Sequence, residues 1–207
     1  MSTELQLPID ISTVKGFLAE DEGLALYQHA LQASQLGPCL EIGSYCGKST
    51  VYLATACKRN DSILYALDHH RGSEEHQLGE EYHDPDLYDG DIQLMDSFRS
   101  FRNTMRAAEL EDTVVPIVSS SAVASRHWAT PLAMVFIDGG HSEQAAQTDY
   151  RCWSTFIKPG GILAIHDIFP NPAEGGQAPY NIWKLAQASG LFEVLPTVNT
   201  LGLFRRL

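Results

Sequence analysis

The 207-residue sequence predicts an α/β fold, a doubly wound and mostly parallel sheet that ends in an antiparallel hairpin. Three observations lead there. Short apolar runs alternate with segments of helical periodicity, and this βαβαβ order places helices on both faces of a parallel sheet. Leu132 to Ile137 is continuous in apolar residues, as a strand covered on both faces should be. Near the C-terminus, Phe192 to Pro196 and Leu201 to Arg205 lie too close together for a parallel crossover, which needs about a dozen residues or more.

Taken in order, residues 13–35 carry apolar positions at helical spacing, and Leu18, Leu24, Leu26, Tyr27 and Leu31 can share one buried face. Residues 1–37 therefore read as an N-terminal helical layer. Pro38 to Ile42 is a short strand, Gly43 to Gly47 a tight turn, and Lys48 to Lys58 a helix opened by small residues. Ile63 to Leu67 is a second strand, ending at Asp68. The polar stretch from His69 to Asp91 interrupts the alternation and reads as an inserted lid over a substrate. Its His69, His70, His76 and His83, with Glu74 and Glu75, match no standard metal-ligand spacing. Helical periodicity resumes over 92–109, and Thr113 to Val118 and Leu132 to Ile137 are the third and fourth strands. A helix over 143–157, a turn at Pro159-Gly160-Gly161 and a fifth strand from Ile162 to Ile165 follow, ending at His166-Asp167. Beyond a loop from Phe169 to Pro179, with Gly175-Gly176 as its flexible point, come a helix near 180–189 and the hairpin, with Asn199 between its strands. The loop can close over the ligand-facing edge, and Tyr180 and Trp183 are candidates for an apolar wall there or for core.

A chain of this length fits one domain, 1–207, with no room for a second. Its 44% apolar content is that of a globular protein, and no apolar run approaches the roughly 18 residues that span a bilayer, so no membrane partner is expected. The first residues, Met1 to Thr13, carry neither the basic nor the apolar region of a secretory signal. Cys39, Cys46, Cys57 and Cys152 show no CxxC or Cys/His ligand spacing and read as free thiols. Both points agree with a cytoplasmic protein. The balance of 14 Lys+Arg against 26 Asp+Glu, a net charge of −12, would repel a phosphate backbone, which argues against nucleic acid as a partner. A homo-oligomer is compatible with everything above.

In an open α/β sheet, ligands bind beyond the carboxyl ends of the strands. Four predicted ends are polar: Glu41-Ile42-Gly43, Asp68, Asp138 and His166-Asp167. In the first turn, Gly43 and Gly47 stand where backbone can approach a ligand, and the helix that follows offers its N-terminal amides to a carboxylate. The GxxxG spacing is neither the GxGxxG of dinucleotide sites nor a complete P-loop.

The segment LEIGSYCGKSTVYLA (40–54) resembles motif I of the class I S-adenosylmethionine-dependent methyltransferases, and is particularly similar to catechol O-methyltransferase and its bacterial relatives. The segment MVFIDGGHSEQAAQTDYRCWSTFIKPGGILAIHDIF (134–169) resembles the fourth-to-fifth strand region of the same superfamily. With the hairpin, the resemblance covers most of the chain from residue 38 onward, the insertion excepted. It implies a Rossmann-like sheet, S-adenosylmethionine as cofactor, and methyl transfer to oxygen of a small-molecule acceptor. Glu41, Gly43, Ser44 and Gly47 would then line the methionine part of the cofactor, and Asp68 would accept hydrogen bonds from the ribose hydroxyls. Ser120 and Ser121 match the region near the adenine, a place where serine also commonly caps a helix.

For the chemistry, Asp138, His166 and Asp167 match the metal-ligand positions of metal-dependent relatives, with Asp138 also facing the cofactor. An oxygen ligand is usual where His166 stands; oxygen suits Mg²⁺, whereas imidazole favours Mn²⁺, Fe²⁺ or Zn²⁺. His141 matches the position of the catalytic base, a lysine in catechol O-methyltransferase; imidazole titrates near neutrality and can take a hydroxyl proton. Its other reading is a loop histidine that caps the helix beginning near Ser142. Further readings share the architecture: a metal-dependent enzyme similar to the cephalosporin hydroxylases, a nicotinamide-dependent dehydrogenase, which would need GxGxxG, and a cofactor-binding protein without catalysis.

Overall fold

The computed structural model describes residues 5–73 and 84–207. Its strands are β1 (Cys39–Ile42), β2 (Leu64–Asp68), β3 (Tyr88–Asp89), β4 (Leu94–Met95), β5 (Val114–Val118), β6 (Leu132–Ile137), β7 (Ile157–Ile165), β8 (Phe192–Val198) and β9 (Leu201–Arg206). Seven of them form one sheet in the order β5-β2-β1-β6-β7-β9-β8, while β3 and β4 make a separate antiparallel pair. The first five strands of that order are parallel, and β9 and β8 add the antiparallel edge expected from their short spacing.

From β1 the chain builds outward through β2 to β5, then returns to place β6 on the other side of β1. The β1–β6 boundary is therefore a topological switch point, where the connections diverge and leave a crevice. Hydrogen bonds run on past the strand ends. Gly43 N donates to Leu67 O (2.9 Å), Asp138 N to Ile42 O (2.9 Å) and His166 N to Ile137 O (3.1 Å), which sets Gly43, Asp138 and His166 along one edge.

The helices are α1 (Glu20–Ala33), α2 (Lys48–Arg59), α3 (Phe98–Ala107), α4 (Ser121–Ala124), α5 (Glu143–Trp153) and α6 (Ala178–Ala188). They divide between the sheet faces because the strand side chains alternate. Phe136 belongs to one buried cluster with Leu26 of α1, Val51 of α2 and Phe101 of α3, whereas Leu40 and Val135 belong to another with Trp153 of α5 and Ile182 of α6. Burial of a large apolar side chain such as Phe136 contributes roughly 1.5–3 kcal/mol.

Several local expectations change. The helix expected over 13–35 begins at Glu20, where three consecutive acids favour a helix N-terminus, and Leu24 faces outward at 39% exposure. The helix expected over 92–109 shortens to α3, since β3 and β4 occupy 88–95. Pro159-Gly160-Gly161 lies within β7. Leu132 pairs with Ile157 and Met134 with Ile162, so the extra residues bulge out of the ladder. Gly161 permits this because a Cβ there would stand 2.7 Å from the carbonyl oxygen of Ala133. The helix expected over 143–157 ends at Trp153 and gives way to a 3₁₀ turn, Ser154–Phe156. All four cysteines are free thiols, and no helix among the described residues is long and apolar enough to cross a membrane.

Candidate functional site

A cavity of about 550 Å³ opens at the carboxyl edge of the parallel strands, within the size range of small-molecule sites. Gly43, Ser44 and Tyr45 line it from the turn after β1, Asp68 from the end of β2, and Ser120 and Ser121 from the start of α4. Asp138 and His141 line it after β6, and His166 and Asp167 after β7.

The first turn works through its backbone. Gly43 has φ +90°, and a Cβ there would overlap the carbonyl of Asp138, so only glycine lets β1 and β6 deliver their chains side by side. Gly47, at φ +94°, is the N-cap of α2 and faces α3; a Cβ would stand 2.9 Å from Met105 Cε. It therefore packs behind the turn and does not line the cavity as expected. Glu41 departs in the same way. Strand alternation sends its side chain beneath α2, where it is fully buried and accepts hydrogen bonds from Ser49 Oγ (2.5 Å) and Thr50 Oγ1 (2.6 Å). Burial outweighs those hydroxyls and pushes its carboxyl up to about 7.

Asp68 is held at the cavity by two backbone amides. Tyr45 N donates to Oδ2 (2.8 Å) and His70 N to Oδ1 (2.7 Å), leaving further lone pairs for a ligand. His70 is buried at φ +58°, with Nδ1 2.8 Å from Ser97 Oγ. Ser120 is the N-cap of α4, with no cap bond from its own hydroxyl, and Ser121 Oγ accepts from Trp153 Nε1 (3.0 Å). Nearby, burial raises the Asp149 carboxyl to about 6.

After β6 and β7 the lining is made by ionisable side chains. Asp138, His141 and Asp167 each offer a ligand atom, and these atoms lie within 4.8 Å of one another. His141 Nε2 is 3.1 Å from Asp167 Oδ2. His166, expected as a ligand, is placed differently. Its ring is 6% exposed, with Nε2 2.9 Å from Glu22 Oε2 and Nδ1 3.1 Å from Asp138 Oδ1. Both of its nitrogens face carboxylates, and the ligand atoms that converge among the described residues are those of Asp138, His141 and Asp167. Burial opposes the imidazolium, but the charge of Asp138 and the hydrogen bonds of Asp138, Asp167 and Glu22 raise its pKa far above the usual range. Burial likewise opposes ionisation of Asp167, and the hydrogen bonds of His141 and His166 override it, holding that carboxyl well below the usual range.

The donor set of two carboxylates and one imidazole is one that Mn²⁺ and similar divalent ions accept. The open turn at Gly43, beside a strand-end carboxylate at Asp68, fits an elongated ligand that brings backbone-contacting and hydroxyl-bearing parts. The sequence model of a family described as a methyltransferase domain matches residues 40–168. The chain belongs to that family. It is an S-adenosylmethionine-dependent methyltransferase.

Solved structures share the methyltransferase's fold at low identity. The O-methyltransferase NovP is 15% identical, with a TM-score of 0.67 over 89% of this chain and 78% of that one. TomG from Streptomyces achromogenes, an O-methyltransferase involved in tomaymycin synthesis and solved with S-adenosylmethionine, is 16% identical, with a TM-score of 0.63 over 92% and 81%. The O-methyltransferase from Bacillus cereus, in complex with S-adenosylhomocysteine, is 16% identical, with a TM-score of 0.63 over 94% and 86%.

The methyltransferase's cavity also takes residues that sequence reasoning passed over. Lys15, Gly16 and Phe17, from the extended segment before α1, line it beside Leu18, which was expected on a buried helix face, and Lys15 pairs with Asp84 (2.6 Å) and Asp86 (2.8 Å). Nothing in the spacing of the first three marks them, because their place depends on how the segment crosses α2. There, Lys48 Nζ donates to Gly16 O (3.2 Å). Tyr180 and Trp183 stack on each other with ring centroids 5.7 Å apart, and Trp183 packs on Phe204, away from the cavity. The middle of the expected lid, residues 74–83, and with it most of the His/Glu cluster, lies outside the described residues.

Proposed function

We propose that the enzyme methylates a hydroxyl oxygen of a small-molecule acceptor, with Asp138, His141 and Asp167 as the reaction centre. The observation that carries this reading is the convergence of those three side chains in the same cavity that the Gly43 turn and Asp68 line. O-methyltransferases of the same fold, two of them solved with S-adenosylmethionine or its demethylated product, support it. In this reading Gly43 and Ser44 lie against the methionine part of the cofactor, Asp68 accepts from the ribose hydroxyls, and Ser120 and Ser121 flank the adenine. The net charge of −12 favours a small acceptor over nucleic acid.

The cofactor supplies a methyl group already activated on a sulfonium, so the protein's share is alignment and removal of a proton. His141, oriented by Asp167 at 3.1 Å, would take the hydroxyl proton as the oxygen displaces the sulfonium sulfur from the methyl carbon and the demethylated thioether leaves. A divalent cation held by Asp138 and Asp167 would lower the pKa of the acceptor hydroxyl. The mutual reach of all three side chains also favours a second role for His141, as third ligand to that cation.

Calorimetric titration with S-adenosylhomocysteine, NAD, Mn²⁺ and Mg²⁺ tests the reading. S-adenosylhomocysteine is expected to bind and NAD to give no heat; the reverse would sink it. Mn²⁺ binding is expected to disappear in Asp167→Ala. His141→Ala should lower kcat by about 100-fold with the S-adenosylhomocysteine affinity kept. Unchanged Mn²⁺ affinity in that variant assigns His141 as base, and lost affinity assigns it as ligand.

A further inference from the structure

We infer that Glu22, in the first turn of α1, is a positioning residue of the reaction centre, acting through His166 to hold the Asp138 carboxylate in place. The inference rests on the reaction centre proposed above. Glu22 and His166 are 2% and 6% exposed, and the imidazole is gripped at both nitrogens, by Glu22 Oε2 at 2.9 Å and Asp138 Oδ1 at 3.1 Å. A ring held at both ends cannot turn. The second contact of Nδ1, 3.4 Å to Asp167 Oδ2, brings the other carboxylate of the centre against the same edge.

Glu22 is itself fixed by separate parts of the chain. Its Oε1 accepts from Thr200 N (2.9 Å) and Thr200 Oγ1 (2.8 Å) in the turn between β8 and β9, and its Oε2 accepts from Ala19 N (3.2 Å). The chain of contacts therefore runs from the N-terminal helix and the C-terminal hairpin through His166 to Asp138. Buried ion pairs add little net stability, since desolvation offsets their attraction, and apolar side chains would fill the same space as well. What such a chain supplies is orientation. Partners of this kind behind a metal or substrate ligand set its direction, and their loss weakens binding while the ligand itself remains.

The test compares full-length wild type, Glu22→Ala and Glu22→Gln by calorimetric titration with Mn²⁺ and with S-adenosylhomocysteine, alongside thermal melting. Glu22→Ala is expected to weaken Mn²⁺ binding by about 10- to 100-fold. Glu22→Gln, whose amide oxygen still accepts from Nε2, should lose less. S-adenosylhomocysteine affinity, which reports the fold and the Gly43 turn, should stay within about twofold. Equal Mn²⁺ affinity in wild type and Glu22→Ala overturns the inference. If Glu22→Ala does not fold, the same comparison is made with Glu22→Gln. If wild type binds no Mn²⁺, the metal part of the proposed function fails, and the ring N–H resonances of His166 decide for Glu22. Their loss or broadening in Glu22→Ala at an unchanged melting temperature supports the positioning role; unchanged resonances, or a change that only follows a lowered melting temperature, overturn it.

Discussion

Around Gly43 and Asp68 the wall of the cavity is made by backbone: a glycine at positive φ and two amides that pin one carboxylate. At Asp138, His141, His166 and Asp167 it is made by ionisable side chains that hold one another. The first region is sensitive to single atoms and tolerant of charge, because its geometry comes from φ/ψ and close approach. The second should respond the other way, keeping its shape when an atom is exchanged but not when a charge is lost. Even the carboxyls divide. Glu41, under the backbone-built region, has its pKa raised by burial, while Asp167 and Glu22 have theirs lowered because contacts with histidine override burial.

The largest effect is expected at Gly43. Gly43→Ala places a methyl group on the Asp138 carbonyl at a φ of +90°, and left-handed strain alone costs about 1–3 kcal/mol. Chemical denaturation should show a loss at or above that figure, and calorimetry no binding of S-adenosylhomocysteine. A variant that binds normally would break the contrast between the two regions.

Asp167→Asn comes next, since it keeps the shape and removes the charge. Methyl transfer is expected to fall by about 100-fold or more, with S-adenosylhomocysteine affinity unchanged. The Asp167 pKa is depressed in the fold, so its stabilisation is present above the ordinary value of 3.8 and lost as pH falls below it. Denaturation of wild type against this variant at neutral pH and at acid pH should show that difference shrinking in acid.

The effect at Glu41 has the opposite sign and confines itself to stability. A carboxyl whose folded pKa is raised takes up its proton more readily in the native state, so stability falls as pH rises from 4.5 to about 7. Glu41→Gln cannot titrate. The stability difference between wild type and this variant should change across that window by up to about 1.4 kcal/mol per pH unit, in favour of the variant. A flat difference would mean that Ser49 and Thr50 keep the carboxylate ionised and the two regions titrate alike.

Leu132 to Ile137 matches β6 residue for residue because a strand buried on both faces leaves its whole pattern in the sequence. The segment before α1 was harder to read. Leu18 keeps helical spacing with Leu26, yet it belongs to extended chain lying against α2, and Leu24 on the same pattern points outward. Glu41 and Gly47 were legible as members of the first turn, but which side they faced was not. Strand alternation and the approach of α3 turn both away from the cavity.

Periodicity and turn chemistry depend on neighbours a few residues away, and they were enough to place the parallel strands, the terminal hairpin and the carboxylates at the strand ends. The role of His166 depends on something else. Its partner Glu22 is 144 residues distant, brought to it by α1 packing across the edge of the sheet and by the hairpin turn closing on the same carboxylate. No spacing encodes that contact. Adjacent to Asp167 in the chain, His166 looks like a metal ligand; in the fold its ring lies between the carboxylates of Glu22 and Asp138, and His141 stands beside Asp138 and Asp167.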